Sequence, residues 1–539
     1  MGGVQLEVER KFEAGPDAVL PDLTGVGGVV TTEDAGTQEL DATYFDTPDL
    51  RLARARITLR RRTGGTDAGW HLKLPTAVAG SRREVHAPLG VRRTVVPKAV
   101  TEPVTAVLRG ARPEPVATLQ TTRLVTDLRD GEGRVLAQVA ADTVTGTALA
   151  PDPASPAEVT TWRELEVELV DGDEALLDAV TEALAAAGIR PSDSPSKLSR
   201  VLAGRLAALT PAPAVPAAPP APEPAKGRKK KGKRRDDGGP GPTAADVVLG
   251  ALRAQVQALQ VADIGVRTGD PEGVHDLRVA CRRLRSILAA FRPVLDRTAT
   301  DPVRDELRWI GAALSGARDG EVALEHLRAV VATQPVDLVR GPVSARLRST
   351  EVADVERGRK AAVRALSDKR HLALLDSLDA LLADPPLAAA AGEPARAVLT
   401  DAVRRTGRRL SARIDEARAR GAQEEVHDDD AEHALHEARK AAKRVRYTAE
   451  VAAPVLGAPA EALVTCMKQV QDVLGEAQDT VVTRQWCTRL AAAASGAGED
   501  TFTYGRLHAL EEARAERADR AFWALEPTLR AAVKAAVRA

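Results

Sequence analysis

The spacing of apolar positions divides the chain into two halves of different period. As far as about Arg205, apolar and polar residues alternate over runs of five to eight, with Gly, Pro and Asp between the runs, which predicts strands joined by turns. From Thr243 onward Ala, Leu, Arg and Glu dominate with the helical period, and breaks fall at Asp270-Pro271, Gly341-Pro342, Asp384-Pro385-Pro386 and Gly457. The fold class expected is α+β in several domains, with strands first and an all-α part second.

The strand half is unusual in what its polar faces carry. In Leu6-Glu7-Val8-Glu9-Arg10-Lys11-Phe12, residues Glu7, Glu9 and Lys11 share one side and Leu6, Val8 and Phe12 the other. The stretch Glu164-Leu165-Glu166-Val167-Glu168-Leu169 repeats the alternation with acids only. One reading is a pair of edge strands with solvated faces. The other is that the two acidic faces converge on a divalent cation, which takes carboxylate oxygens and commonly brings phosphates with it. Between them, His71 and Lys73 share a face, as do Arg82, Glu84 and His86, and as do Arg134, Gln138 and Asp142. A sheet closed with these faces inward would enclose an ionic lumen instead of a filled core. Leu176 to Ala187 reads as an amphipathic helix ended by Gly188.

Length and composition narrow the classes. A chain of 539 residues exceeds one core, so two or three domains are expected. No run approaches a membrane span and no basic segment followed by an apolar run opens the chain, so no membrane partner is expected and the expected compartment is the cytoplasm. Cys281, Cys466 and Cys487 are odd in number and scattered, which argues against a disulfide framework or zinc module. With 76 basic and 76 acidic residues the chain is no uniformly basic nucleic-acid binder, and aromatics at 2% are too few for base stacking.

Residues 206–242 form a Pro/Ala-rich linker whose basic run Arg228 to Arg235 reads either as a solvated tail or as a flexible clamp on a polyanion. Behind it the helical half repeats. Val274 to Arg285 parallels Leu435 to Arg446, with His275 and His436 161 residues apart. Leu314 to Asp319 parallels Leu474 to Asp479, with the aspartates 160 apart. Duplication predicts two similar helical bundles about a pseudo-twofold. On helices, His275, Arg278, Arg282 and Arg285 form one stripe, and His436, Arg439, Lys443 and Arg446 another. Cations without acids at i+4 should repel one another unless an anion sits on them. The crowded His427, Asp428, Asp429, Asp430, His433 and His436 lack a recognised ligand spacing and read as a capped helix start rather than a metal site.

Glu7-x-Glu9-x-Lys11, Tyr44-Phe45-Asp46-Thr47-Pro48, Leu59-Arg60-Arg61-Arg62, Leu72-Lys73-Leu74, Arg82-Arg83-Glu84, Glu164-x-Glu166-x-Glu168 and Ser196-Lys197 resemble, in order, the CYTH or triphosphate tunnel metalloenzyme family over residues 3–205. The histidine-arginine blocks of residues 243–539 resemble the CHAD domain, a conserved-histidine helical module. The first resemblance implies an eight-stranded antiparallel barrel whose tunnel binds triphosphate with Mg2+ or Mn2+. Its members include inorganic, thiamine and RNA triphosphatases and one class of adenylate cyclase. The second implies binding of inorganic polyphosphate, and with it an association with polyphosphate granules.

The resemblance therefore implies a metal-dependent triphosphatase acting on inorganic triphosphate or short polyphosphate. Glu7, Glu9, Glu164, Glu166 and Glu168 would hold metal, and Lys11, Arg60, Arg62, Lys73, Arg82, Arg123 and Lys197 would grip phosphate. Catalysis would fall to Glu9, Lys11, Arg60, Arg62 and Lys73, while Asp142 adds a ligand or orients Arg82 and Glu84 orients a basic side chain. His275, Arg278, Arg282, Arg285, His436, Arg439, Lys443 and Arg446 would bind polyphosphate. The alternatives are a non-catalytic polyphosphate scaffold or sensor, and an organic triphosphatase acting on thiamine triphosphate.

Overall fold

The computed structural model describes residues 4–76, 81–90, 95–150, 156–209, 241–314, 319–421 and 428–538, with backbone alone at 4–7, 81, 319 and 428–432. The chain falls into two compact units, residues 1–230 and 231–539. Among the described residues no helix is long and apolar enough to cross a membrane.

The first unit is one antiparallel sheet of nine strands: β1 (Val4–Ala14), β2 (Thr31–Asp46), β3 (Thr58–Thr63), β4 (Gly69–Pro75), β5 (Ser81–Ala87), β6 (Glu114–Arg129), β7 (Val135–Ala148), β8 (Glu158–Leu169) and β9 (Arg190–Pro191). Their order is β5-β4-β3-β2-β6-β7-β8-β1-β9. The expected eight-stranded closed barrel is amended in number and in closure. The short β9 pairs with Phe12 and Glu13 of β1. β1 itself changes partners along its length: Val4 to Val8 pair with β5, and Glu9 to Ala14 pair with β8. No residue of β1 is bonded to β5 and β8 at once, so the circuit is joined through a strand that switches sides.

Alternation decides what each face buries. Phe12, Leu128, Val139, Leu165 and Val167 form a core with Leu176, Leu177, Val180 and Leu184 of helix α1 (Glu174–Ala186), whose first turn is capped by Asp173 accepting from the Leu176 amide at 3.0 Å. The opposite face is not wholly ionic. Ala42, Leu119, Val144 and Ala148 pack with Leu198, Val201 and Leu202, on and just beyond helix α2 (Lys197–Val201), so an apolar plug fills part of the space enclosed by the sheet. The expected open ionic lumen is corrected to one that is filled beside its charged section. Asp46, of the Tyr44 to Pro48 turn, is fully buried and accepts from the amides of Thr47, Leu52 and Ala53 at 2.7, 2.9 and 2.8 Å, which gives it a structural task.

The second unit is all helix. Its ten long helices among the described residues are α3 (Ala244–Arg267), α4 (Gly273–Ala290), α5 (Arg297–Ala313), α6 (Asp319–Ala332), α7 (Val343–Leu366), α8 (Lys369–Ala383), α9 (Ala395–Gly421), α10 (Asp428–Leu456), α11 (Ala458–Gly496) and α12 (Phe502–Arg538). α3 opens with a capping box in which Thr243 and Asp246 bond each other's backbone amides. Of the two duplicated blocks, Ser315 to Arg318 lie outside the described residues.

Candidate active site

With Leu165 and Val167 directed at α1, Glu164, Glu166 and Glu168 must face the interior, and with Phe12 outward Glu9 and Lys11 do the same. Register then sets the neighbours: Lys11 lies opposite Glu166, Glu9 opposite Glu168, and Arg123 opposite Asp142. The result is a strongly polar cavity of about 260 Å3. It is lined by all seven predicted phosphate ligands, Lys11, Arg60, Arg62, Lys73, Arg82, Arg123 and Lys197, and by Glu9, Glu166 and Glu168 of the predicted metal set. Glu164 stands behind this lining, 4% exposed. Glu7 pairs with Arg82 through its backbone, and its side chain lies outside the described residues.

The floor of the cavity is a buried ion network. Lys197 Nζ lies 2.9 Å from Asp142, 2.6 Å from Glu164 and 2.7 Å from Glu166. Arg123 Nη2 bridges Asp142 and Glu166 at 2.7 and 2.6 Å, and Lys11 pairs with Glu166 and, at 3.2 Å, with Glu9. Burial alone would raise the pKa of Glu166, but Lys11, Lys197 and Arg123 outweigh it and hold the carboxyl well below its usual range. Burial alone would lower Lys197, and Glu166, Asp142 and Glu164 reverse that. Asp142, Glu164 and Glu166 present oxygens close enough together for one cation, and the ammonium of Lys197 is the cation they hold.

Glu168 differs, because it makes no salt bridge among the described residues and its pKa is raised by burial and by the repulsion of Glu9 and Glu166. Glu9, paired with Lys11, and Glu168, beside Lys73, are thus cross-strand carboxylates facing the same cavity. Two carboxylates plus substrate oxygens are the ligand set Mg2+ commonly uses, so these residues fit a divalent cation.

The opposite wall is cationic. Arg60 makes no salt bridge among the described residues, and its Nε and that of Arg62 are buried without hydrogen-bond partners. Burial and the neighbouring Arg60 and Arg123 push Arg62 down to about 9. Arg62 pairs with Asp67 of the β3–β4 hairpin loop. His71 holds Glu84 through Nδ1 at 2.7 Å and the Asp67 carbonyl through Nε2 at 2.9 Å. Burial, opposed by Glu84 and aided by Arg60 and Arg62, lowers His71 to about 4. A ring kept neutral in this way donates from one nitrogen only, so the tautomer decides which of the two contacts is the hydrogen bond.

Several expectations change here. Asp142 orients Arg123 and Lys197, not Arg82, which donates to the Pro195 carbonyl at 2.7 Å. Arg134 precedes β7 and pairs with Asp130, away from Gln138 and Asp142. Gln38 and Asp67 also line the cavity. Inward parity of β2 could have found the first; Asp67 sits on a loop, where parity gives no signal.

In the helical unit, α4 and α10 pack together and their stripes converge. Lys443 is half-buried and is lowered to about 7 by burial, then by Arg282, Arg439 and Arg278, against Asp479. Arg282 Nε donates to Tyr447 Oη at 3.2 Å. The expected absence of i+4 acids fails at Arg446, which bonds Glu450 at 2.8 Å and Gln471 at 3.0 Å. Arg444, off the stripe, is lowered by burial and by Arg409, Arg304, Arg285 and Arg292, a second basic group in which Arg285 is the one stripe residue. His433 and His436 line a separate cavity of about 990 Å3, while His427 and the side chains of Asp428 to Asp430 lie outside the described residues.

Comparison with known proteins agrees with this two-part organisation. The CYTH domain model matches residues 5–202 and the CHAD domain model residues 250–488. An uncharacterized protein of Mycobacterium tuberculosis is 37% identical over 522 residues, covering 95% of this chain and 94% of the relative. A thiamine-triphosphatase of Homo sapiens is 43% identical over 76 residues, 13% of this chain and 28% of that protein. Among solved structures, the CHAD domain from the plant Ricinus communis is 24% identical, with a TM-score of 0.42, and covers 55% of this chain and 93% of that one. The chain belongs to the family of proteins that carry an N-terminal CYTH domain followed by a CHAD domain.

Proposed function

We propose that the CYTH domain hydrolyses inorganic triphosphate or short polyphosphate with a divalent cation, and that the CHAD domain binds polyphosphate. The observation that carries this reading is the composition of one cavity, in which seven cations face Glu9, Glu166 and Glu168. Buried guanidinium groups that repel one another make an anion-free site costly, and a compact polyanion removes that cost. Arg60, Arg62, Arg82 and Arg123 supply forks for phosphate oxygens, while Lys11 and Lys73 act as point charges.

Glu9 and Glu168 would hold the cation, Mg2+ or Mn2+. When bound it neutralises phosphate oxygens and acidifies water. The remaining work is placement, which is most of what phosphoryl transfer asks of a protein. Lys197 and Arg123 fix Glu166, Glu166 fixes Lys11, and Lys11 reaches back to Glu9, so the acidic wall is rigid before substrate arrives. Hydrolysis breaks one P–O–P bond and places the water oxygen on the terminal phosphorus, giving orthophosphate and pyrophosphate. Among the described residues Tyr44 is the one aromatic side chain of the lining, which favours an inorganic substrate over one with a ring to be stacked.

The test is phosphate release from inorganic triphosphate by the full chain with Mg2+ and with chelator. Glu9→Gln should lower kcat by about two orders of magnitude. Absence of turnover in the wild-type protein alongside tight polyphosphate binding would favour the scaffold reading instead.

A further inference from the structure

Among the described residues, Asp67 is the one carboxylate of the cavity lining that comes from a loop and not a strand. Asp67 follows the Gly64-Gly65 turn of the β3–β4 hairpin and pairs with Arg62. The two partners are unequal: the Arg62 side chain is 8% exposed and that of Asp67 53%. The loop backbone is held in place. Gly64 has φ of +80°, and a Cβ there would lie 1.9 Å from the Glu39 carbonyl oxygen, so the turn is pressed against β2. His71 fixes the Asp67 carbonyl at 2.9 Å. The Asp67 backbone is therefore anchored while its carboxylate reaches inward from solvent, and both Asp67 and Thr66 line the cavity.

We propose that Asp67 is a positioning residue for Arg62, a tethered anion that occupies its guanidinium until a ligand with more negative charge displaces it. The inference rests on the reading of this cavity as a triphosphate site. Arg62 is the cation for which such a counter-ion matters, because burial and the adjacent Arg60 and Arg123 disfavour its charge more than Tyr44 and Glu84 favour it. A ligand must then compete with a carboxylate already in place. An anion that cannot displace it forgoes the Arg62 contact, and one that can displace it binds more weakly by the cost of breaking the pair. When triphosphate enters, the carboxylate swings to water, where desolvation costs it nothing, and the Arg62 fork closes on phosphate.

The test uses the full chain and Asp67→Asn, which keeps the side-chain shape and the carbonyl bonded to His71. The KM for inorganic triphosphate should fall about five-fold, the scale of a partly exposed ion pair, with kcat unchanged or lower. In Arg62→Gln the same Asp67→Asn change should have no effect on KM. Amide hydrogen exchange of a peptide covering residues 58–74, titrated with triphosphate in the presence of chelator, reads occupancy of this cavity whether or not turnover occurs. Half-saturation at about five-fold lower triphosphate in Asp67→Asn supports the latch even in a protein without hydrolysis. Hydrolysis with unchanged or raised KM, or an effect that persists in Arg62→Gln, overturns the latch and leaves the hydrolytic reading standing. Absence of triphosphate binding in both proteins ends both.

Discussion

Lys443 shows what a single residue can report about its surroundings. Desolvation and three neighbouring arginines bring its pKa to about 7, so near neutral pH a good part of it is uncharged. A bound polyanion would favour the charged form and raise that pKa. Affinity for polyphosphate should then be greatest below pH 7 and fall as pH rises through the window above it, with a proton taken up on binding. The charge linkage for folding has the opposite slope. The unfolded chain, with an ordinary lysine, binds more protons above pH 7 than the native state does, so this group's contribution to stability improves as pH rises from about 7 toward the ordinary lysine value. Measuring polyphosphate affinity between pH 6 and 9 in wild type and Lys443→Arg checks the idea. The arginine, which stays charged, should flatten the profile, and an unaltered slope would place the titrating group elsewhere.

At the scale of elements, the plug of the strand domain depends on one close approach. A Cβ at Gly146 of β7 would lie 2.4 Å from Val201 Cγ2 of α2 and 3.1 Å from the Trp162 ring. Gly146→Ala should destabilise the unit by about 1–3 kcal/mol, read as a lower thermal midpoint, because a methyl has been inserted into a packed core. If α2 moves to make room for that methyl, Lys197 is drawn from its three carboxylates, so triphosphate turnover should fall as well. This coupling also shows what the sequence could and could not reveal. Strand parity put Glu9, Lys11, Glu166 and Glu168 on inward faces, and the two periods separated the domains. Parity cannot say which cation meets which acid, since Lys11 and Glu166 are 155 residues apart and their meeting depends on the register of β1 against β8. Nor could it show that the Asp142, Glu164 and Glu166 cluster already holds an ammonium, because Lys197 arrives on a short helix outside the sheet's alternation. The ninth strand, only two residues long, leaves no period to read.

For the whole molecule, the formal charge of zero conceals two basic concentrations with different surroundings. In the CYTH domain the cations line a small enclosed cavity, and Lys11, Arg123 and Lys197 are engaged with buried acids, so salt has less access to them. In the CHAD domain Arg278, Arg282, Arg439 and Lys443 lie on two packed helices with Asp479 the acid set against Lys443, and the stripes run along a partly solvated surface. Binding there should follow counterion release, weakening steeply as salt rises, whereas hydrolysis of a short triphosphate should respond less. The two activities should also separate by mutation in the full chain. Arg278→Ala with Arg282→Ala and Arg439→Ala should reduce polyphosphate affinity at least about ten-fold and make the slope of log affinity against log salt shallower by two to three, roughly one for each lost phosphate contact. The KM for inorganic triphosphate should stay within about two-fold, since none of the three lines the CYTH cavity. Filter binding of long polyphosphate at several salt concentrations, run beside phosphate release, measures both, and a parallel loss of hydrolysis would mean that the helical stripes and the cavity serve one site rather than two.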